Sequence, residues 1–209
     1  QVLDADGTGQ KMDLGLNHFQ LVLNSAGLLA GTDAEKIRIQ LQANGTRVGN
    51  WTANLDTQIR QLDGKWTFTS DAPMQAELRA NVPELQWLVS QFSSEFSLKG
   101  ALGVDAKFSG SFDKPLYKAN IEGKGLEFAF ASEGLLFPNG ELKAELNEQT
   151  FKLAHLRFSN KIAFVPKLEP VQDLNWTGKQ GEFNASGEVN WHTQAGAIKA
   201  DWQMFPLLQ

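Results

Sequence analysis

Apolar side chains recur at every second position along most of this chain, and that period decides its fold class. Ile37, Ile39, Leu41 and Ala43 alternate with Arg38, Gln40 and Gln42. The habit runs through Met12, Leu14 and Leu16, then Phe19, Leu21 and Leu23, and again through Met74, Ala76, Leu78, Ala80 and Val82. Leu102, Val104, Ala106 and Phe108 repeat it, as do Leu126, Phe128 and Phe130, Leu142, Ala144 and Leu146, and Ile198, Ala200 and Trp202. Successive side chains of a strand point to opposite faces, so a period of two means strands with one apolar and one polar face. Such strands pair antiparallel as a rule, because parallel sheets covered on both sides read as unbroken apolar runs. The chain is expected to be all-β and mostly antiparallel.

One segment breaks the period. After Val82, Leu85, Leu88, Val89 and Phe92 fall on one helical face. Pro83 fits a first helical turn and Glu84 suits its dipole, which predicts a short amphipathic helix near 83–92. Turn signals are read at Asn44-Gly45, Asp63-Gly64, Gly110, Gly123-Lys124-Gly125, Asn139-Gly140 and Gly187. Gly100, Gly125, Gly140, Gly181 and Gly196 are each followed by alternating apolar residues and read as strand starts. Leu28-Leu29 and Leu135 to Phe137 sit beside glycines and read as turns or edge crossings. Pro166, Pro170 and Pro206 mark loops or edges.

Composition narrows the function. The 209 residues suffice for one large domain or two small ones. The formal charge of −5, with signs alternating along the chain, argues against a nucleic-acid partner. The absence of cysteine excludes disulfides, thiolate metal sites and cysteine nucleophiles. Apolar runs reach only four residues, at Phe128 to Ala131 and Ile162 to Val165, too short for a membrane-spanning helix. The start at Gln1 reads as a piece of a longer protein, with residues 1–209 forming one elongated β domain and a sub-boundary at the 83–92 helix.

Catalytic constellations are not legible. His18, His155 and His192 are far apart in sequence, and none has a partner at metal-ligand spacing. Asp4-x-Asp6-Gly7 opens like a calcium loop but lacks the later ligands. Gly7-Thr8-Gly9 lacks the lysine of a phosphate loop. No enzyme, metal or cofactor is expected. Asn-x-Ser/Thr sequons at Asn44, Asn50, Asn175 and Asn184 read as chance in a chain rich in such turns. Trp51, Trp66, Trp191 and Trp202 share parity with apolar neighbours, which predicts the buried face, while Trp87 and Trp176 stay open. So many one-sided strands need a cover: a second sheet, closure into a barrel, or a curl that leaves an apolar trough.

A resemblance bears on that choice. Val82-Pro-Glu-Leu-Gln-Trp-Leu88, Ser97-Leu-Lys-Gly-Ala-Leu102 and Phe108-Ser-Gly-Ser-Phe-Asp-Lys-Pro115 resemble segments of the TamB family. So do Ile121-Glu-Gly-Lys-Gly-Leu-Glu-Phe128, Ser132-Glu-Gly-Leu-Leu-Phe-Pro-Asn-Gly-Glu-Leu142 and the tail Ile198 to Gln209. The likeness covers residues 82–209, and AsmA-like groove proteins share its style. It implies a long sheet curled into a U-shaped, taco-like groove with an apolar interior. It further implies a periplasmic location, an N-terminal inner-membrane anchor outside this piece, and phospholipid acyl chains as ligands. A TamA-like outer-membrane β-barrel would be the partner of the whole protein, in outer-membrane protein assembly.

On that reading the groove is lined by Leu102, Val104, Ala106, Phe108, Ile121, Leu126, Phe128, Phe130, Leu142, Leu146, Leu153, Leu156 and Phe158. Two other functions fit an open β sheet: a scaffold that pairs nascent outer-membrane strands, and a glycan-binding sandwich with solvent-facing tryptophans.

Overall fold

A computed structural model describes residues 15–28, 33–89, 95–130, 135–160 and 181–203. They form eleven strands and one helical turn: β1 (Leu16–Leu28), β2 (Ala34–Gly45), β3 (Gly49–Leu62), β4 (Lys65–Thr67), β5 (Met74–Val82), α1 (Gln86–Val89), β6 (Phe96–Gly110), β7 (Pro115–Phe130), β8 (Leu135–Asn147), β9 (Thr150–Asn160), β10 (Gly181–Asn190) and β11 (Ala195–Gln203). The strands follow one another in hydrogen-bonded order β1-β2-β3-β5-β6-β7-β8-β9-β10-β11, with β4 added to β3. Pairing is antiparallel, and the ladder is open at β1 and β11. The chain is all-β, as its period requires.

The chain divides into two compact units. The first takes in residues 1–84 and 104–117, the second residues 85–103 and 118–209, so β6 and β7 each contribute to both.

Within the first unit the register sorts side chains by face. Leu23, Ile39, Leu55 and Ala76 form one cross-strand row, and Leu21, Leu41, Ala53 and Leu78 the next. The opposite face is a ladder of polar pairs. Arg38 grips both carboxylate oxygens of Asp56 at 2.6 and 3.1 Å, Gln40 donates to Asn54 at 3.3 Å, and Arg79 reaches Asp105 at 3.1 Å. A one-residue slip would exchange the two faces, so apolar rows and polar pairs fix the same register.

The charged ladder continues in the second unit. Arg157 Nη2 donates to Glu182 at 2.9 Å, and Glu141 sits directly across from Arg157 in β8. Exposed pairs of this kind contribute little singly. Arg157→Glu gathers three carboxylates on one face and is expected to cost about 1 kcal/mol in urea unfolding, a loss that high salt reduces.

Turn signals divide into two kinds. Asp63-Gly64 makes the two-residue β3–β4 turn, both residues having positive φ, as a tight hairpin demands. Near Asn44-Gly45 the chain also turns, through Thr46, Arg47 and Val48, and the positive φ falls at Gly49. Gly110 closes β6 ahead of a turn at Ser111 to Lys114. Gly123-Lys124-Gly125, Asn139-Gly140 and Gly187, however, lie inside β7, β8 and β10. Gly125 (φ 58°) is the extra residue of a bulge between the Lys124–Glu141 and Leu126–Gly140 pairs. Asn139 (φ 53°) lies in a second bulge, its side chain donating to the Ser159 carbonyl at 3.0 Å. Gly100, Gly125 and Gly140 are therefore strand interiors, whereas Gly181 and Gly196 do open strands.

The expected helix is a single turn, Gln86–Val89, preceded by the buried Leu85, whose N–H donates to the Gly100 carbonyl at 2.9 Å. Residues 90–92 of the expected span lie outside the described residues. So do the aspartates and glycines of positions 4–9, Leu29, Asn175, Trp176 and the three C-terminal prolines.

Candidate functional site

In the second unit the registers build apolar rows across β7 to β11. Ile121 faces Ala144, which faces Leu153, then Gly187 and Ile198. Gly123, Leu142, Leu156, Ala185 and Ala200 form the next row. Leu146 faces Phe151, and Phe151 faces Val189. Ala144, Leu153 and Ala185 form a buried centre, with Ile121, Leu142, Phe151, Leu156 and Phe183 packed against it. Small residues in one strand facing large ones in the next let the side chains lie across the sheet.

One margin of this face is aromatic. Phe96 of β6 lies 6.3 Å from Phe128 of β7 between ring centroids, and Phe128 lies 6.2 Å from Phe137 of β8. Phe137 then meets Phe158 at 5.7 Å, Phe183 at 5.7 Å and Trp202 at 5.9 Å. The rings are tilted or edge-on, the arrangements aromatic quadrupoles favour. Two strands separate β8 from β11 in the ladder, so on a flat sheet Phe137 and Trp202 would stand about 14 Å apart. Gly140 makes room beneath: a Cβ there would come within 2.7 Å of Leu126 Cβ and would strike the Phe158 ring. The Gly125 bulge returns Leu126 to this face, where it is buried.

The residues expected to line a groove are distributed as follows. Leu126, Leu153 and Phe158 are buried in the second unit, and Ile121, Phe128, Leu142 and Leu156 are half-buried beside them. Leu102, Phe130 and Leu146 are half-buried in the same unit. Val104, Ala106 and Phe108 belong to the first unit, where Ala106 is buried and Phe108 lies 6.4 Å from Tyr117. The face also holds Phe96, Phe137, Phe151, Phe183 and Trp202, which were not among the expected lining residues. Phe137 is the largest omission, since it touches four aromatic rings in four other strands.

The tryptophans depart from expectation. Trp51 is half-buried and its Nε1 donates to the Val48 carbonyl at 2.6 Å. Trp66, Trp191 and Trp202 are exposed, Trp202 to 53 %. They occupy the apolar parity or stack on apolar neighbours, as Trp191 does on Phe151 at 6.3 Å, but nothing covers their outer sides among the described residues. More generally, no large side chain among the described residues is fully buried.

No three His, Cys, Asp or Glu side chains gather at metal-binding distance among the described residues. No described helix is long and apolar enough to cross a membrane. A hollow of about 700 Å³ opens in the first unit beside Lys36, Arg38, Gln40, Asp56, Gln58 and Gln75. No protein-family model matches this chain, and neither a curated protein nor a solved structure matches it.

Proposed function

We propose that the apolar face of the second unit is part of a lipid-carrying groove of the TamB type, holding phospholipid acyl chains in the periplasm between inner and outer membranes. The observation that carries this is the 5.9 Å approach of Phe137 and Trp202. Rings two intervening strands apart meet when their sheet bends toward the face that bears them, and that supports an inward-curving apolar surface. The lack of any fully buried large side chain among the described residues supports a face left open to a ligand. Each CH₂ moved from water to such a surface contributes about 0.8 kcal/mol, so one acyl tail gains about 10 kcal/mol before ordering costs. The charged head group stays in water, where it costs nothing. Carrying a lipid along a surface needs no catalytic group. The anchor and a TamA-like barrel partner would belong to the whole protein, and support of outer-membrane protein assembly would follow from that partnership.

Native mass spectrometry with lipid extraction, after expression in a bacterial periplasm, tests the proposal. Phospholipid is expected to co-purify with the protein and to be lost from Phe128→Glu, which sets a carboxylate between Phe96 and Phe137. A folded protein free of lipid, or a folded Phe128→Glu variant that retains it equally, overturns the reading.

The open ladder favours a second function. Among the described residues β1 and β11 each have one strand neighbour, so each offers a backbone edge to an incoming strand. A scaffold for nascent outer-membrane strands would bind extended amphipathic peptides, in competition with phospholipid.

A further inference from the structure

We propose that the hairpin end of the first unit is a membrane-docking tip that inserts into the interface of a phospholipid bilayer. This goes beyond the lipid-carrying face and does not rest on it. Leu62, Trp66, Phe68, Phe112 and Leu116 are each 41–53 % exposed and come from two neighbouring turns. The turns are strapped together. The Asp113 N–H donates to the Ser70 carbonyl at 2.8 Å, Pro73 and Ser111 form an isolated bridge, and the Phe68 and Phe112 rings meet edge-on at 6.3 Å. Residues Ser111 to Lys114 close on themselves through reciprocal backbone bonds of 3.2 and 3.4 Å.

What sets this end apart is the loss of two-faced patterning. Trp66 pairs with Gln61 on the parity of Leu55 and Thr57, the apolar side of β3. Leu62 pairs with Lys65 on the opposite parity, and Leu116 shares the parity of Lys118 and Asn120, the polar side of β7. Large apolar groups thus project on both sides of the sheet at its end. A sheet face covered from one direction has no use for that, but a tip immersed in an apolar medium does. Aromatic and leucine side chains with lysines close by are the composition that partitions into the head-group boundary, the lysine stems lying along the apolar surface with their ammonium groups in water.

Area and charge decide the occupant. Five half-exposed side chains offer about 500 Å², short of the roughly 800 Å² per partner of a stable protein interface. The near charges cancel, Lys65 and Lys114 against Asp63 and Asp113, while Arg60 and Asp71 pair at 3.1 Å. Docking is therefore apolar, and neutral lipid suffices.

The test is flotation of the full chain with phosphatidylcholine vesicles. Binding is expected at low and high salt alike. The double variant Phe68→Ser/Phe112→Ser, with its fold checked by circular dichroism, is expected to lower the bound fraction at least about tenfold. Phe19→Ser, which removes an exposed ring from β1 of the same unit, is expected to leave it unchanged. Brominated phosphatidylcholine is expected to quench tryptophan emission in a Trp202→Phe background, which removes the indole of the lipid-carrying face, and adding Trp66→Phe to remove most of that quenching, a readout that stands even if the double variant misfolds. Failure to float, equal loss in Phe19→Ser, or quenching left unchanged when Trp66→Phe is added to the Trp202→Phe background overturns the proposal. So does a dimer in sedimentation that the double variant dissociates, because the occupant is then a second copy.

Discussion

Valine at position 140 is expected to destabilise the second unit by about 3 kcal/mol. The space a Cβ would take at Gly140 is already filled by the Phe158 ring and the Leu126 Cβ, both buried. Neither is the loose end of a flexible chain. The ring is held between Phe137 and Phe183, and a Cβ moves only with its backbone. Forced overpacking of this sort costs about 1–3 kcal/mol and at times more. The reduced freedom of the unfolded chain returns less than about 1 kcal/mol. Gly103→Ala is the control, since its nearest contact would be the Glu122 carbonyl at 3.8 Å, and it is expected to change stability by less than about 0.5 kcal/mol. Urea unfolding compares the two, and amide exchange in β8 and β9 locates the loss. A Gly140→Val variant as stable as Gly103→Ala means that the ring does not lie over the glycine.

The same glycine marks where sequence and fold part company. Parity assigned the faces correctly wherever a strand runs unbroken: Ile37, Ile39 and Leu41 share one face, and so do Leu142, Ala144 and Leu146. Alternation is a local property that survives in the sequence. Asn139-Gly140 reads as a hairpin turn because a turn and a bulge ask for the same residues, which tolerate positive φ. Which of the two forms depends on whether the chain beyond goes on pairing with the neighbour it already has. That choice is made by Leu126, Phe128 and Ser159, far away in sequence. The bulges make β7 and β8 sixteen and thirteen residues long, where glycine punctuation suggested shorter pieces.

Phe137 was hidden by the same device. It follows Leu135 and Leu136 and precedes Pro138, so the run has no period, and the extra residue at Asn139 resets the parity before Leu142. The tryptophans show a different limit. Parity says which side of a sheet a residue is on, but burial depends on what lies over that side. Trp202 is on the apolar side of β11, the end strand, with a neighbour on one flank only among the described residues. Charge alternation, finally, pointed away from nucleic acid without revealing its structural use, which is the ladder of cross-strand pairs from Arg38–Asp56 to Arg157–Glu182.

Phe158→Ala and Trp202→Ala are expected to separate the packed part of the aromatic margin from the part open to a ligand. Phe158 is only 7 % exposed and touches Phe137 and Phe183, so its removal leaves a void that neighbours in three strands cannot all close. The expected loss is about 3 kcal/mol, the low end for a core phenylalanine because the face has no second layer. Trp202 touches Phe137 but keeps half its surface in water, and its loss is expected to cost about 1 kcal/mol. Lipid retention should rank the two the other way among molecules that remain folded. The exposed half of the indole is surface an acyl chain can still cover, so Trp202→Ala should lower phospholipid retention by about tenfold, and Phe158→Ala should change it little once its lower stability is allowed for. Urea unfolding and lipid extraction on the same preparations give both numbers. Equal retention in Trp202→Ala and the unsubstituted chain would remove the open side of the margin from the lipid path, leaving the aromatic row as packing alone.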